Sequence, residues 1–289
     1  MRRGKHFRKK RHFSRMVSLI LLAALIGYPF YEARNLQVEQ KTLLIEYLPA
    51  DLNNLRIVFV SDIHAGAMFS RQQVWNLIQR INTLNPDIVL LGGDYAEDSE
   101  GAIRFFQEMP SINARYLVAG VAGNHDRTQP ETNLGRLTSA MLAANVIPLV
   151  NKTTSVKIGS GIVTVAGIDD PDNGHPDIQS VSQMTSGDEF VIFLSHSPAI
   201  IPEAHNATNR EGRSRWFNLA LCGHTHGGQV TLLGNPLIPE FLKVERRYLS
   251  GWIEENRVPI LTSNGVGTAY LPVRLFAPPQ IHLITLKGS

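Results

Sequence analysis

The chain has 289 residues, of which 43% are hydrophobic, and a single cysteine, Cys222. This composition excludes a mainly disordered protein, and a mean hydropathy of −0.07 excludes a protein built of many membrane spans. One thiol also excludes an intrachain disulfide and a cysteine-based zinc finger. Eight of the 28 basic residues lie within residues 1–15, so the rest of the chain carries 20 basic and 25 acidic side chains. The body is therefore mildly acidic, which disfavours a broad nucleic-acid-binding surface.

The first predicted element is an apolar helix that follows the basic tail. Residues 16–31 carry no charge, and a helix of that length rises about 24 Å, slightly less than the roughly 30 Å of a bilayer's hydrocarbon core. We predict a basic cytoplasmic tail over residues 1–15 and an uncleaved, single-pass signal-anchor helix over residues 16–34. A cleaved signal peptide and a peripheral helix are the alternatives. The positive-inside rule favours a body outside the cell membrane, whereas a segment that only dips into the bilayer would leave it in the cytoplasm.

The rest of the chain, residues 40–289, is predicted to form one α/β domain. Ser70 and Gln73 have the spacing of a capping box, and Val74, Leu77 and Ile81 lie on one face of the helix that would follow. Two further helices are predicted through Phe106 and through Leu137. The βαβα order predicts parallel pairing in the first half, and the second half is richer in strands. Apolar runs predict strands near residues 43–45, 55–61, 87–91, 116–121, 147–150, 156–158, 162–166, 190–194, 219–221, 230–233, 260–262 and 281–285.

Five polar motifs follow five of the predicted strands. They are Asp62-x-His64, Gly93-Asp94, Gly123-Asn124-His125-Asp126, Ser195-His196 and Gly223-His224-x-His226. Because ligands of α/β sheets gather beyond the carboxyl ends of the strands, we expect the five loops to converge. Alternate residues at a strand end point to the same side, which would let both side chains of the first motif reach one ion.

The residue types in these motifs predict a metal centre. Taken singly, each motif is explained as readily by a turn, a strand-end pair or a buried histidine, but five in order after five strands favour a site. Carboxylates, imidazoles and an amide oxygen suit Mn²⁺, Zn²⁺ or Fe, and the donors are too many for one tetrahedral ion. Two ions about 3.5–4 Å apart would clamp a phosphoryl group and acidify a bridging water, whose hydroxide attacks phosphorus. His125 would then neutralise developing charge or protonate the leaving oxygen.

These ordered motifs resemble the calcineurin-like metallophosphoesterase superfamily over residues 55–230. The resemblance implies an α/β fold, a four-layer αββα sandwich with two facing mixed sheets, and a catalytic domain over residues 40–289. It also implies two divalent metal ions per chain, Mn, Zn or Fe, with His125 acting beside the phosphate. One ion would bind Asp62, His64 and His226, the other would bind Asn124, His196 and His224, and Asp94 would bridge the two.

A narrower resemblance links the chain to a bacterial membrane-associated phosphodiesterase branch. It rests on the predicted N-terminal membrane segment, on Gly227-Gly228-Gln229, on residues 263–274 and on residues 278–281. Members of that branch include enzymes that cleave the pyrophosphate of UDP-2,3-diacylglucosamine in lipid A biosynthesis, so a lipid-linked phosphate substrate at the bacterial inner membrane is implied. Asn264 stands where the branch usually has arginine, which puts one substrate contact in doubt.

Two other functions fit the same motifs. One is a general phosphatase or nuclease of the superfamily, although the acidic body disfavours a nuclease and no nucleic-acid partner is expected. The other is a non-catalytic, membrane-tethered metal-binding module. Retention of every expected ligand and of His125 favours an enzyme over such a module.

Three features outside the motifs give weaker signals. The carboxylate-rich stretch 168–172 is predicted to be a surface turn, with a place in the substrate groove as the alternative. Tyr270, Leu271 and Phe276 are predicted to pack in the core, with an acyl-chain contact as the alternative. Cys222 is predicted to be a small buried apolar side chain.

Overall fold

The computed structural model describes residues 3–128, 132–238 and 244–289. The helices in these ranges are α1 (Arg3–Glu32), α2 (Arg71–Thr83), α3 (Ser99–Glu108), α4 (Thr132–Ala143), α5 (Ile178–Gln183) and α6 (Ile201–Asn206). The strands are β1 (Gln37–Ile45), β2 (Arg56–Val60), β3 (Ile88–Leu91), β4 (Leu117–Gly120), β5 (Ile147–Pro148), β6 (Lys152–Ile158), β7 (Gly161–Gly167), β8 (Phe190–Leu194), β9 (Leu219–Cys222), β10 (Thr231–Leu232), β11 (Asn235–Pro236), β12 (Gly251–Glu255), β13 (Val258–Thr262) and β14 (Gln280–Gly288).

All of these strands except β10 and β11 form two six-stranded mixed sheets. The first sheet has the order β1-β14-β2-β3-β4-β5, in which only the β14–β2 pair is antiparallel. The second has the order β12-β13-β9-β8-β7-β6, in which the two outermost pairs are antiparallel and the inner pairs are parallel. The parallel pairing predicted for the first half of the chain is confirmed in β2, β3 and β4.

The apolar core is divided into three layers by the sheets. Between the sheets, Phe59 and Leu90 of the first pack with Ile192 and Leu221 of the second. Helices α2, α3 and α4 cover the outer face of the first sheet, and α5 and α6 cover that of the second. Each fully buried side chain of this size contributes about 1.5–3 kcal/mol to folding. The layers therefore run helix, sheet, sheet, helix, as expected for the four-layer sandwich.

Helix α2 shows how local sequence begins an element. Ser70 is its N-cap, and its hydroxyl accepts a hydrogen bond from the backbone N–H of Gln73, whose own side chain accepts from the Ser70 N–H. This capping box satisfies donors that the first helical turn leaves unpaired. Val74, Leu77 and Ile81 are buried on the face towards the sheet, as their spacing predicts.

The N-terminal helix differs from its prediction. It begins at Arg3, so the described part of the basic tail is helical and continuous with the apolar segment. At its other end, the buried Glu32 carboxylate accepts hydrogen bonds from the N–H groups of Phe276 and Ala277. Within the described ranges no helix, α1 included, has both the length and the apolar character needed to cross a membrane. This finding does not support the signal-anchor helix predicted over residues 16–34.

Candidate metal centre

The first group of predicted ligands lies together at the carboxyl ends of β2 and β9. The Nε2 atoms of His64 and His226 are 3.1 Å apart, and His226 Nε2 is 3.7 Å from an oxygen of Asp62. All three side chains are buried. Two ring nitrogens that face each other across 3.1 Å, with a carboxylate beside them, form a donor set that suits a borderline divalent cation.

The second group lies beside the first and joins the two sheets. The Oδ1 atom of Asn124 is 3.1 Å from His196 Nε2 and 2.9 Å from His224 Nδ1, and those two ring nitrogens are 3.2 Å apart. His196 is oriented by its other nitrogen, because Nδ1 donates to the Gly92 carbonyl oxygen at 2.8 Å. That bond leaves His196 Nε2 directed towards Asn124 and His224.

Asp94 lies between the two groups. One of its oxygens is 3.6 Å from His64 Nε2 and 3.3 Å from His196 Nε2. Ligand atoms of Asp62, Asp94 and His196 all lie within 4.8 Å of one another. All seven residues predicted as ligands therefore converge, in the two sets that the family resemblance implies.

The backbone of these loops explains how the side chains reach the centre. β2 ends at Val60, so the expected strand alternation does not orient Asp62 and His64. Instead, five of the seven residues have left-handed backbone with φ between +48° and +71°. That conformation costs on the order of 1 kcal/mol or more per residue, and contacts in the surrounding structure must hold it in place. The five residues are Asp62, His64, Asp94, His224 and His226.

Two glycines allow the loops to approach so closely. A Cβ atom at Gly123 would collide with the Asp94 carboxylate, and a Cβ atom at Gly223 would collide with the side chains of Ser61 and Asp62. Glycine is required at both positions because another chain segment occupies the place of a side chain. Gly123 thus allows two loops of the first sheet to meet, and Gly223 allows the second sheet to approach the first at the site.

The electrostatics of the site suit a cation. Burial lowers the pKa of His64 and His224 to about 4, and burial also lowers that of His226 well below its ordinary value. These rings are therefore neutral at pH 7, which is the form that binds metals. Burial alone would raise the pKa of Asp94, but the nearby His196 holds it below its ordinary value. Asp94 and the imidazoles of His64, His224 and His226 are thus in the forms that bind a cation, whereas Asp94 raises the pKa of His196, which would release its proton when a metal binds.

Asp126 has a structural role that the sequence analysis did not assign. Its buried carboxylate accepts hydrogen bonds from the backbone N–H groups of Asp94 at 2.7 Å, Tyr95 at 3.0 Å and Gly123 at 2.8 Å. It therefore holds the loops after β3 and β4 in register with each other. The only signal in the sequence was its place at the end of the Gly-Asn-His-Asp motif.

His125 lies at the edge of the same centre. Its backbone N–H donates to Asp94 at 2.9 Å, and its ring packs edge-on against His64 with centroids 4.8 Å apart. Its Nδ1 atom is 3.1 Å from the carbonyl oxygen of Glu97. A carbonyl oxygen only accepts, so Nδ1 carries a proton in either charge state of the ring.

Three other predictions are corrected or confirmed by the structure. Asp169 and Asp170 are buried, so the stretch predicted as a surface turn packs into the protein. Leu271 and Phe276 are more than half exposed, so they do not pack in the core. The Cys222 side chain is buried, as predicted.

Asn264 occupies the position where the narrower branch has arginine. Its side chain is buried, donates to the Pro278 carbonyl oxygen at 3.2 Å and accepts from the Ser250 hydroxyl at 2.5 Å. The amide is thus used in hydrogen bonds within the protein.

Comparison with known proteins gives a consistent result. The uncharacterized metallophosphoesterase YkuE of Bacillus subtilis is 28% identical over 270 residues, which cover 91% of this chain and 90% of that protein. An uncharacterized metallophosphoesterase of Aquifex aeolicus is 27% identical over 282 residues, covering 93% of this chain and 99% of that protein. A transmembrane protein with metallophosphoesterase domain from Danio rerio is 27% identical over 288 residues, covering 95% and 63%.

The family model described as calcineurin-like phosphoesterase matches residues 55–228, more than half of the chain. The matched region contains every strand end and every loop that contributes to the centre. The motifs, the two facing sheets and the converging ligands agree with this match. The chain therefore belongs to the calcineurin-like phosphoesterase family and is a phosphoester hydrolase.

Proposed function

We propose that the protein hydrolyses a phosphodiester or pyrophosphate bond with two divalent metal ions. Asp62, His64 and His226 would hold one ion, and Asn124, His196 and His224 would hold the other. The observation that carries the proposal is the place of Asp94, whose carboxylate oxygen lies 3.6 Å and 3.3 Å from a nitrogen of each group. A carboxylate in that position can serve both ions at once.

The chemistry divides between the ions and the protein. When bound, the two ions supply charge to the phosphoryl oxygens and acidify a water molecule between them. His125 lies at the edge of the centre with a proton held on Nδ1, and the protonated ring would use Nε2–H to stabilise charge on phosphate or to protonate the leaving oxygen. The Glu97 carbonyl oxygen fixes the orientation of the ring by accepting from Nδ1.

Replacement of His125 by asparagine is expected to lower kcat roughly 100-fold, the low end of what general acid–base groups contribute. Both metal ions should remain bound, because His125 is not among the seven proposed ligands. The measurement is steady-state kinetics together with metal analysis of the same samples. The exposed His175, changed to asparagine, is the matched control and should keep full activity. Loss of an ion from the His125 variant would instead make this residue a ligand, as its closeness to His64 and Asp94 permits.

We further propose a lipid-linked substrate such as UDP-2,3-diacylglucosamine. Support comes from exposed apolar side chains on the segments that follow His226 or bond to Gln229 and Val230, among them Leu233, Leu271 and Phe276. Gln229, three residues after the ligand His226, donates to the carbonyl oxygens of Ala269 and Leu271 and so holds this apolar loop beside the site. Such a surface would suit acyl chains next to the phosphate.

The same proposal places the protein at the bacterial inner membrane, with residues 16–31 in contact with lipid. The basic residues before that segment would favour the anionic inner surface, and the relative from Danio rerio is named a transmembrane protein. The positive-inside rule would place the catalytic domain outside for a spanning segment, whereas a segment that only contacts the bilayer would leave the domain in the cytoplasm. Protease treatment of spheroplasts tests the side, because only an outward-facing domain is cleaved while the cells stay intact.

The test of the proposed function is a substrate panel on the full chain, stripped with a chelator and reloaded with Mn²⁺. The panel compares UDP-2,3-diacylglucosamine in detergent, a simple phosphodiester, a phosphomonoester and single-stranded DNA. We expect hydrolysis of the pyrophosphate or the diester, and no turnover without metal. Activity that survives complete metal removal would contradict the proposal. A preference for the monoester would indicate a general phosphatase, and no turnover at all with two ions bound would indicate a non-catalytic module.

A further inference from the structure

The segment between β7 and α5, residues 169–177, packs against the proposed metal centre, and we refer to it as the acidic loop. It carries Asp169, Asp170, Asp172 and Asp177. The Asp169 and Asp170 side chains are both buried, although they are carboxylates. A loop that buries two carboxylates needs internal partners for them, and these partners show what the loop holds in place.

The acidic loop is anchored from within and from the neighbouring motif. Asp169 forms a buried salt bridge of 3.1 Å with Arg127, which lies three residues after the proposed ligand Asn124, and also accepts from the N–H of His175. Asp170 accepts from the N–H groups of Asp172 and Asn173, at 3.1 Å and 2.7 Å. These bonds fix the backbone that carries Asp172 and Asn173.

From this fixed backbone, two side chains reach two ligands of the same proposed ion. The amide of Asn173 donates to the backbone carbonyl oxygen of Asn124 at 2.9 Å. A carboxylate oxygen of Asp172 lies 3.5 Å from Nε2 of His224. The other nitrogen of that ring, Nδ1, is the one that faces Asn124 and His196. A small rotation of the exposed Asp172 side chain would complete a hydrogen bond from Nε2–H.

We propose that Asp172 is a positioning residue for the second metal ion and that the acidic loop supports the second ion selectively. A carboxylate that accepts from Nε2–H keeps the proton on that atom, so Nδ1 of His224 retains the lone pair that a metal needs. Asn173 restrains Asn124 by a different contact, a hydrogen bond that it donates to the backbone carbonyl oxygen of Asn124. Among the described interactions, Asp62 and His64, two ligands of the first ion, contact no residue of the range 169–177.

The test is a Mn²⁺ titration of the metal-free full chain by calorimetry, with the electron paramagnetic resonance spectrum of the loaded protein. The inference rests on the proposed two-ion centre, so wild type should bind two ions and show the spectrum of a coupled pair. Asp172→Asn should raise the dissociation constant of one ion by about 10- to 100-fold, the usual effect of changing an outer hydrogen-bond partner of a ligand. The dissociation constant of the other ion should stay unchanged. Its spectrum at limiting Mn²⁺ should then be that of an isolated ion. Asn173→Ala should weaken the same ion.

The controls separate positioning from general damage. Asp188→Asn makes the same chemical change at an exposed residue before β8, at the end of that strand opposite His196, and should bind like wild type. Asp172→Glu should restore much of the lost affinity, because it keeps a charged group that can only accept, whereas the asparagine amide is neutral and can turn its NH2 group towards the ring. Identical isotherms for wild type and Asp172→Asn would overturn the inference, and so would equal weakening of both ions. A wild-type chain that binds fewer than two ions would overturn the proposed two-ion function as well, whereas two bound ions without turnover would contradict only the proposed catalysis.

Discussion

Replacing Asp94 by asparagine is expected to lower kcat/KM by roughly 1,000-fold or more. A carboxylate oxygen of Asp94 lies 3.6 Å from His64 Nε2 and 3.3 Å from His196 Nε2. The replacement would therefore remove a negative charge from beside both proposed ions. A bound metal contributes several kcal/mol to a phosphoryl-transfer transition state, and each 1.4 kcal/mol is a factor of ten in rate. Steady-state kinetics at saturating Mn²⁺ measures the loss, and metal analysis should show fewer than two ions per chain.

Asparagine is the most informative replacement at this position because it keeps the shape of the aspartate side chain and removes only its charge. Its amide oxygen can still accept from the His125 N–H, as the Asp94 carboxylate does at 2.9 Å. A fall in activity would then report the lost charge and not a collapsed loop. Full activity with two bound ions in the Asp94→Asn variant would rule out a shared carboxylate, and a circular dichroism spectrum like that of wild type would confirm that the fold is intact.

The second large effect is expected from Arg274→Met, which should lower the free energy of unfolding by about 4 kcal/mol. The Arg274 side chain is fully buried and donates to four backbone carbonyl oxygens. Each buried carbonyl oxygen left without a donor lowers the free energy of unfolding by about 1–3 kcal/mol. The methionine side chain carries no charge, so the cost of burying the guanidinium is removed, and this offsets part of the loss. The acceptors are those of His226, Asn264, Gly267 and Ala277.

The measurement is denaturant unfolding of the metal-free protein, so that changes in metal binding do not contribute. Burial lowers the pKa of Arg274 to about 10, which leaves it charged at neutral pH. Arg274→Lys should recover little, because a compact ammonium cannot span the four acceptors that the planar guanidinium reaches. Arg215→Met is the control: that arginine is exposed and donates to one carbonyl oxygen, and its loss should change stability by less than about 0.5 kcal/mol. A change below 1 kcal/mol at Arg274 would contradict the proposed role.

Much of the fold could be predicted from local patterns. Long apolar runs such as Phe190–Leu194 are strands in the structure, and the Ser70–Gln73 pair begins a helix. Elements with a weak local signal were missed: β12 is a half-exposed edge strand with two glutamates at its end, and α5 and α6 are too short to show a helical period. The pairing of β1 with β14, at opposite ends of the sequence, has no local signal and depends on the assembled sheet.

The candidate site was predicted more completely than the fold around it. The residue types that bind metals are few and follow the strands in a fixed order, so all seven candidate ligands can be named from the sequence. What the sequence could not give is how the loops reach the centre. The left-handed backbone at Asp62 and His64, the carbonyl cage around Arg274 and the inward packing of Asp169 all arise from contacts between distant segments. A single sequence does not show such contacts.

The distribution of donors over the two sheets has a consequence for stability. Asp62, Asp94 and Asn124 follow strands of the first sheet, whereas His196, His224 and His226 follow strands of the second. Each proposed ion would take ligands from both, and so would act as a cross-link between the halves of the sandwich. By mass action, each tenfold excess of metal over its dissociation constant adds about 1.4 kcal/mol to the folded state. The supply of metal in the cell would then govern how long the folded chain persists, in addition to how fast it turns over substrate.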